Sequence, residues 1–210
     1  MSDSMRTLKD FFRSDSARLK KPLRRIAILI SGRGSNMQAL LQKIREGKLK
    51  ADCVLVVSDR EAKGIEVARG FGVRAEVMLR AKGEAREAFD TRLAARLREA
   101  GVEVVVCAGY LRILSAPMLK AYAGKILNVH PSILPAFPGM NAQQQALEYG
   151  VKLTGCTIHL VDAGVDTGKI LAQAAVEVKP GDTVGALSRR ILAAEHALYW
   201  QTLQKFLTGF

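Results

Sequence analysis

Aromatic side chains are scarce in this chain: they make up 6% of its 210 residues, with a single Trp. A protein that grips single-stranded nucleic acid needs basic runs interleaved with stacking rings, and none is present. The net charge of +12 therefore reads as a solvated basic surface, open to small anionic substrates rather than to a specific nucleic acid. Cysteine is also sparse. Cys53, Cys107 and Cys156 form no CxxC pair, and an odd number is a poor disulfide framework, so reduced, buried thiols in a cytoplasmic protein are expected. Long apolar runs are missing too. The longest, such as Ile26–Ile30 and Val104–Ala108, are strand-length, far below the roughly 18 residues that a bilayer crossing needs, so no membrane partner is expected. The N-terminus lacks the apolar core of a secretion signal, and Asp3, Asp10 and Asp15 argue against an organelle transit peptide. Residues 1–24 are read as a basic extension, mobile or forming a short docked helix with Leu8, Phe11 and Phe12 on one face, ahead of a single domain at 25–210.

What the chain does have is alternation. Short Val/Ile-rich runs at Arg25–Ile30, Cys53–Val57, Ala75–Leu79, Val102–Cys107 and Lys125–Val129 read as strands. Between them, helical spacing appears at Met37–Glu46, Ala62–Gly70 and Glu84–Ala100, with glycines at or just after the ends. This order predicts an α/β fold with a mostly parallel sheet and helices on both faces. After Gly150 the pattern changes. Thr154–Val161 and Ile170–Val178 read as an antiparallel strand pair, and Asp182–Leu207 as a closing helix capped at Asp182 or Thr183.

Two segments carry chemistry. Ser31-Gly32-Arg33-Gly34-Ser35-Asn36 joins the first strand to the first helix, and a glycine turn at a helix N-terminus suits a phosphate. Met37 stands where a dinucleotide fingerprint needs its third glycine, and the Gly-Lys-Ser/Thr of a Walker loop is absent. A phosphate monoester is thus favoured over NAD or ATP, with an ordinary tight turn as the alternative. The second segment, Leu127-Asn128-Val129-His130-Pro131-Ser132, ends a strand. Strand alternation puts Asn128 and His130 on one face, and Pro131 favours extended backbone at His130. An amide donor beside an imidazole suits acyl transfer: one binds an oxyanion and the other moves a proton. A satisfied polar pair at a strand end is the bland alternative. His159 and His196 are read as structural.

Together with Ala108-Gly109-Tyr110-Leu111-Arg112-Ile113-Leu114-Ser115, Gly155-Cys156-Thr157-Ile158-His159-Leu160-Val161 and Val165-Asp166-Thr167-Gly168, these segments resemble the folate-dependent formyltransferases, most closely those that act on glycinamide ribonucleotide. The resemblance spans residues 25–208. It implies a Rossmann-like domain, 10-formyltetrahydrofolate as cosubstrate, glycinamide ribonucleotide as acceptor in purine synthesis, no metal, and a monomer or homodimer. It also implies roles. Asn128, His130 and Asp166 would be the catalytic trio. Gly34, Ser35, Asn36 and Glu195 would bind the ribonucleotide. Arg86, Leu111, Arg112, Ile113 and Leu114, Asn128 itself, and the loop Asp162, Ala163, Gly164, Val165 and Asp166 would bind the folate. After Pro138-Gly139, where the family usually shows a histidine within Gly-Leu-His, this chain departs with Met140, Asn141 and Ala142, then Gln143, Gln144 and Gln145; Lys169 stands where proline is common and Leu192 where glutamine is. Hydrolysis of the formyl folate, formylation of another amine, and a non-enzymatic nucleotide- or RNA-binding role are the alternatives. Relatives with the first two activities carry an added N-terminal or C-terminal domain, for which this chain leaves little room.

Overall fold

The computed structural model of the chain describes residues 22–209. The expected helix around Leu8, Phe11 and Phe12 lies outside them. Strands β1 (Arg24–Ile30), β2 (Ala51–Ser58), β3 (Ala75–Val77), β4 (Val104–Cys107), β5 (Ile126–His130), β6 (Leu153–Leu160) and β7 (Ile170–Glu177) form one sheet in the order β3-β2-β1-β4-β5-β6-β7. The first five are parallel, whereas β6 runs antiparallel to both β5 and β7. The expected antiparallel pair therefore extends the parallel sheet at its β5 edge.

The strand pattern explains the layering. Alternate residues of β1 enter opposite cores: Ile26, Ile28 and Ile30 pack with Met37, Leu40, Ile65 and Leu203, while Ala27 and Leu29 pack with Phe89, Leu93, Leu97 and Met118. A strand buried on both faces must be apolar throughout, as β1 is. Helices α1 (Ser35–Arg45), α2 (Lys63–Gly70) and α6 (Val184–Thr208) supply the first layer, and α3 (Arg86–Glu99) and α4 (Ala116–Ala121) the second. Tyr199 of α6, 1% exposed, donates its hydroxyl toward the carbonyls of Cys107 (2.9 Å) and Leu127 (3.2 Å), pinning the helix to β4 and β5. Thr183 caps α6 by accepting from the Ala186 N–H at 3.2 Å.

Two helices have no counterpart in the sequence reading: α4 and α5 (Ala142–Tyr149). The first is six residues long and contains Pro117. The second is glutamine-rich and buries Ala142 and Ala146 alone. Neither is long or apolar enough to show a clear helical stripe.

Candidate active site

In an open α/β sheet, loops diverge to opposite faces where the strand order reverses, which leaves a crevice at the carboxyl ends. Here the order reverses between β1 and β4. A cleft of about 440 Å³ opens at that end. Its walls come from the loop after β4 (Gly109–Leu114), the end of β5 (Asn128–Pro131), the loop between β6 and β7 (Asp162 and Gly164–Asp166), the start of the α5 region (Gly139–Asn141 and Gln143), and Asn36, His159 and Glu195.

At the cleft floor three polar side chains meet. His130, 4% exposed, presents Nδ1 to the Asp166 Oδ2 at 3.1 Å and Nε2 to the Phe137 carbonyl at 2.8 Å. Oxygen acceptors flank both ring nitrogens, an arrangement that the doubly protonated imidazolium satisfies on both sides. Phe137 takes a left-handed conformation (φ 55°) and its ring packs edge-on against Tyr149 at 5.9 Å, which aims the carbonyl. Asp166 is also left-handed, at φ 55°. Non-glycine residues there carry strain that the surroundings must sustain, and such residues gather at functional sites. The Gly139 N–H donates to Asp166 Oδ2 at 2.8 Å and secures it. Burial pushes the Asp166 carboxyl up, but the His159 ring, the Gly139 N–H and the His130 charge outweigh it and hold the pKa below the usual aspartate value.

Asn128 faces the same point. Its Nδ2 lies 3.1 Å from His159 Nε2 and 3.5 Å from Asp166 Oδ1. His159 Nδ1 faces the Leu160 carbonyl at 2.9 Å, which leaves Nε2 turned toward the Asn128 amide and, at 3.5 Å, toward Asp166 Oδ1. The antiparallel register that sets Asn128 opposite His159 makes this contact. His159 is thus more than a packing residue. The one available clue was its alternation, since the β5–β6 register is not readable from the chain. Cys107 also borders the cleft, but burial pushes its thiol up to about 12, so it stays protonated and is no nucleophile.

The glycine turn leaves a helix N-terminus uncapped by any side chain. Gly34 (φ 73°) caps α1 without a side-chain bond, so the first-turn N–H groups of Ser35 and Asn36 face outward from the helix end. Asn36 reaches the cleft and donates to Glu195 Oε2 at 2.7 Å. Burial pushes the Glu195 carboxyl up, and the Asn36 bond only partly counters it. Gly34 and Ser35 flank the cleft without lining it.

On the opposite wall, Leu111 and Ile113 are 54% and 49% exposed, and Arg112 stacks over the Phe89 ring at 4.6 Å. Asp162 turns inward within its own loop, accepting from the Gly164 N–H (3.1 Å) and the Thr167 hydroxyl (2.7 Å). Ala163 is exposed beside the cleft rather than in its wall. Arg86 begins α3, half exposed and 3.6 Å from Glu87, and does not line the cleft. Met140, Asn141 and Gln143, three of the departures from the family pattern, do line it.

The fold and this cleft define an open α/β protein with a polar trio at its switch-point edge. Comparison with known proteins narrows the class. The formyl transferase family model matches residues 24–203, and the chain belongs to that family. It is 52% identical to glycinamide ribonucleotide transformylase 1 from Symbiobacterium toebii, whose crystal structure superposes with a TM-score of 0.89 over 90% of each chain. It is 39% identical to the phosphoribosylglycinamide formyltransferase of Bacillus subtilis, covering 88% of this chain and 95% of that one. It is also 44% identical to a stretch of the human trifunctional purine biosynthetic protein adenosine-3, covering 90% of this chain. The chain spans 14–19% of the length of such trifunctional relatives.

Proposed function

We propose that this chain transfers the formyl group of 10-formyltetrahydrofolate to the amine of glycinamide ribonucleotide, giving formylglycinamide ribonucleotide and tetrahydrofolate in a reducing cytoplasm. The observation that carries the reading is the His130–Asp166 pair at 3.1 Å with Asn128 beside it, set between a phosphate-type helix N-terminus and an apolar loop wall. The trio belongs to the chemistry of moving a carbonyl group between nitrogens. The phosphate of the acceptor would lie at Gly34, Ser35 and Asn36, and Glu195 would accept hydrogen bonds from its ribose hydroxyls. The pterin would lie against Leu111–Leu114 and the Asp162–Asp166 loop.

The mechanism follows from the charges. The glycinamide nitrogen forms a bond to the formyl carbon. The oxygen that becomes negative would be met by the Asn128 N–H that otherwise makes only the long 3.5 Å contact to Asp166, and by the imidazolium of His130. As the adduct collapses, the bond from the formyl carbon to N10 breaks. The amine gives up one proton, taken by Asp166 through a bridging water. N10 gains one from His130, which recovers it through the same relay. Asp166 and the Phe137 carbonyl fix the His130 ring from its two sides, and His159 orients Asn128.

Single-turnover transfer, with and without glycinamide ribonucleotide, tests this. Consumption of the formyl folate that requires the ribonucleotide and falls about 10²–10⁴-fold in His130→Ala is the expected result. Consumption without the ribonucleotide would indicate a hydrolase. No consumption under either condition would sink the reading.

A further inference from the structure

Beneath the loop assigned to the formyl donor lies a carboxylate that none of these roles uses. Asp90, on α3, is 0% exposed among the apolar side chains of that helix. Its Oδ2 accepts from both the backbone N–H (2.6 Å) and the hydroxyl (2.5 Å) of Ser115. Ser115 is the N-cap of α4, yet its hydroxyl makes no cap bond there. Its donors are spent on Asp90 instead, across 25 residues of chain.

The connection matters because the loop is poorly held by burial. Leu111 and Ile113 are about half exposed, and Leu114 is the one apolar side chain of the three that packs inward, at 5%. Polar anchors do the holding. At the start, the Ser31 N–H donates to the Gly109 carbonyl (3.0 Å) and Ser31 Oγ accepts from the Leu111 N–H (2.9 Å). In the middle, Arg112 rests on Phe89 and lies 3.9 Å from Asp59. At the end stands Asp90. Hydrogen bonds to a carboxylate are roughly twice as strong as neutral ones, which accounts for a charge-bearing residue in an otherwise apolar layer.

We infer that Asp90 is a positioning residue for the formyl donor: by gripping Ser115 it sets the carboxyl-end geometry of the Leu111–Leu114 wall without touching either substrate. The inference rests on the transferase reading above.

The experiment measures KM for each substrate, kcat, and equilibrium binding of tetrahydrofolate for wild type, Asp90→Asn, Ser115→Ala and Ser115→Thr. Asp90→Asn should raise the donor KM about tenfold and weaken tetrahydrofolate comparably, with kcat and the acceptor KM within about twofold. Ser115→Ala should move the donor KM about threefold in the same direction, and Ser115→Thr, which keeps both donors, should restore it. If Asp90→Asn fails to fold, the Ala/Thr pair at 115 decides. Equal rises in both KM values, or a lower Tm with both unchanged, would overturn the anchor alone. A wild type that neither binds tetrahydrofolate nor transfers formyl would overturn the transferase reading and the anchor with it.

Discussion

Asp166 stands between two imidazoles, 3.1 Å from His130 and 3.5 Å from His159, and its charge is written into the pH behaviour of the fold. Its folded pKa lies below the ordinary aspartate value of 3.8. The carboxylate therefore stabilises the protein throughout neutral pH, and that contribution is lost as pH falls from 3.8 through the folded value. Asp166→Asn should lower Tm at pH 7 and flatten the acid limb of a Tm-versus-pH curve; an unchanged acid limb would refute this assignment. Glu195 behaves in the opposite sense. Burial raises its pKa above 4.5, so ionising it costs the folded state more as pH climbs past 4.5 and through the folded value. Glu195→Gln should thus raise Tm at neutral pH, with the gain vanishing below 4.5, while weakening the ribonucleotide at least several-fold. Calorimetry and acceptor KM measured on one preparation check both halves. Asn128 and His130 were legible because strand alternation alone puts them on one face. The Phe137 carbonyl and the His159 contact were not, since the first needs a left-handed backbone at a phenylalanine and the second needs the β5–β6 register.

The glycine turn depends on an element that never meets a ligand. Helix α2 begins so close to it that the Gly64 N–H donates to the Gly32 carbonyl at 3.2 Å. A Cβ on Gly64 would lie 2.8 Å from that carbonyl oxygen and 2.5 Å from Ile30 Cδ1. Gly64→Ala should therefore displace the turn, raise the acceptor KM about tenfold and leave the donor KM nearly unchanged, as overpacking at a backbone contact commonly amounts to 1–3 kcal/mol. Equal effects on the two substrates would place the strain elsewhere. Elements with a strong period were visible in the chain: the expected β1, β2, α3 and α6 agree with the observed ones to within a few residues at each end. Helices α4 and α5 were not, because a proline-containing single turn and a glutamine run present no apolar stripe. Yet α5 brings Tyr149 against Phe137, and α4 begins at the serine that Asp90 holds, so two of the site's supports sit on the least legible elements.

Across the molecule, the parallel sheet and its antiparallel pair were legible from alternation and from the lack of a helix between β6 and β7, whereas the strand order, with its reversal between β1 and β4, was not, because alternation does not say which strands are neighbours. The chain carries a net charge of +12, and the two substrates proposed for its cleft are anionic. Raising the ionic strength from about 0.01 to 0.5 M, which shortens the Debye length from about 30 Å to a few Å, should lower kcat/KM several-fold through the loss of steering. A flat salt profile would show that the field has no part in capture. The antiparallel edge has a further consequence, which concerns time. A ribosome delivers β1 to β5 first, and with them the glycine turn, the loop after β4 and His130. Asp166 follows only with the β6–β7 hairpin, and Glu195 only with α6. Under the roles proposed above, the strands that carry the glycine turn and His130 are thus made before the hairpin and helix that complete the cleft.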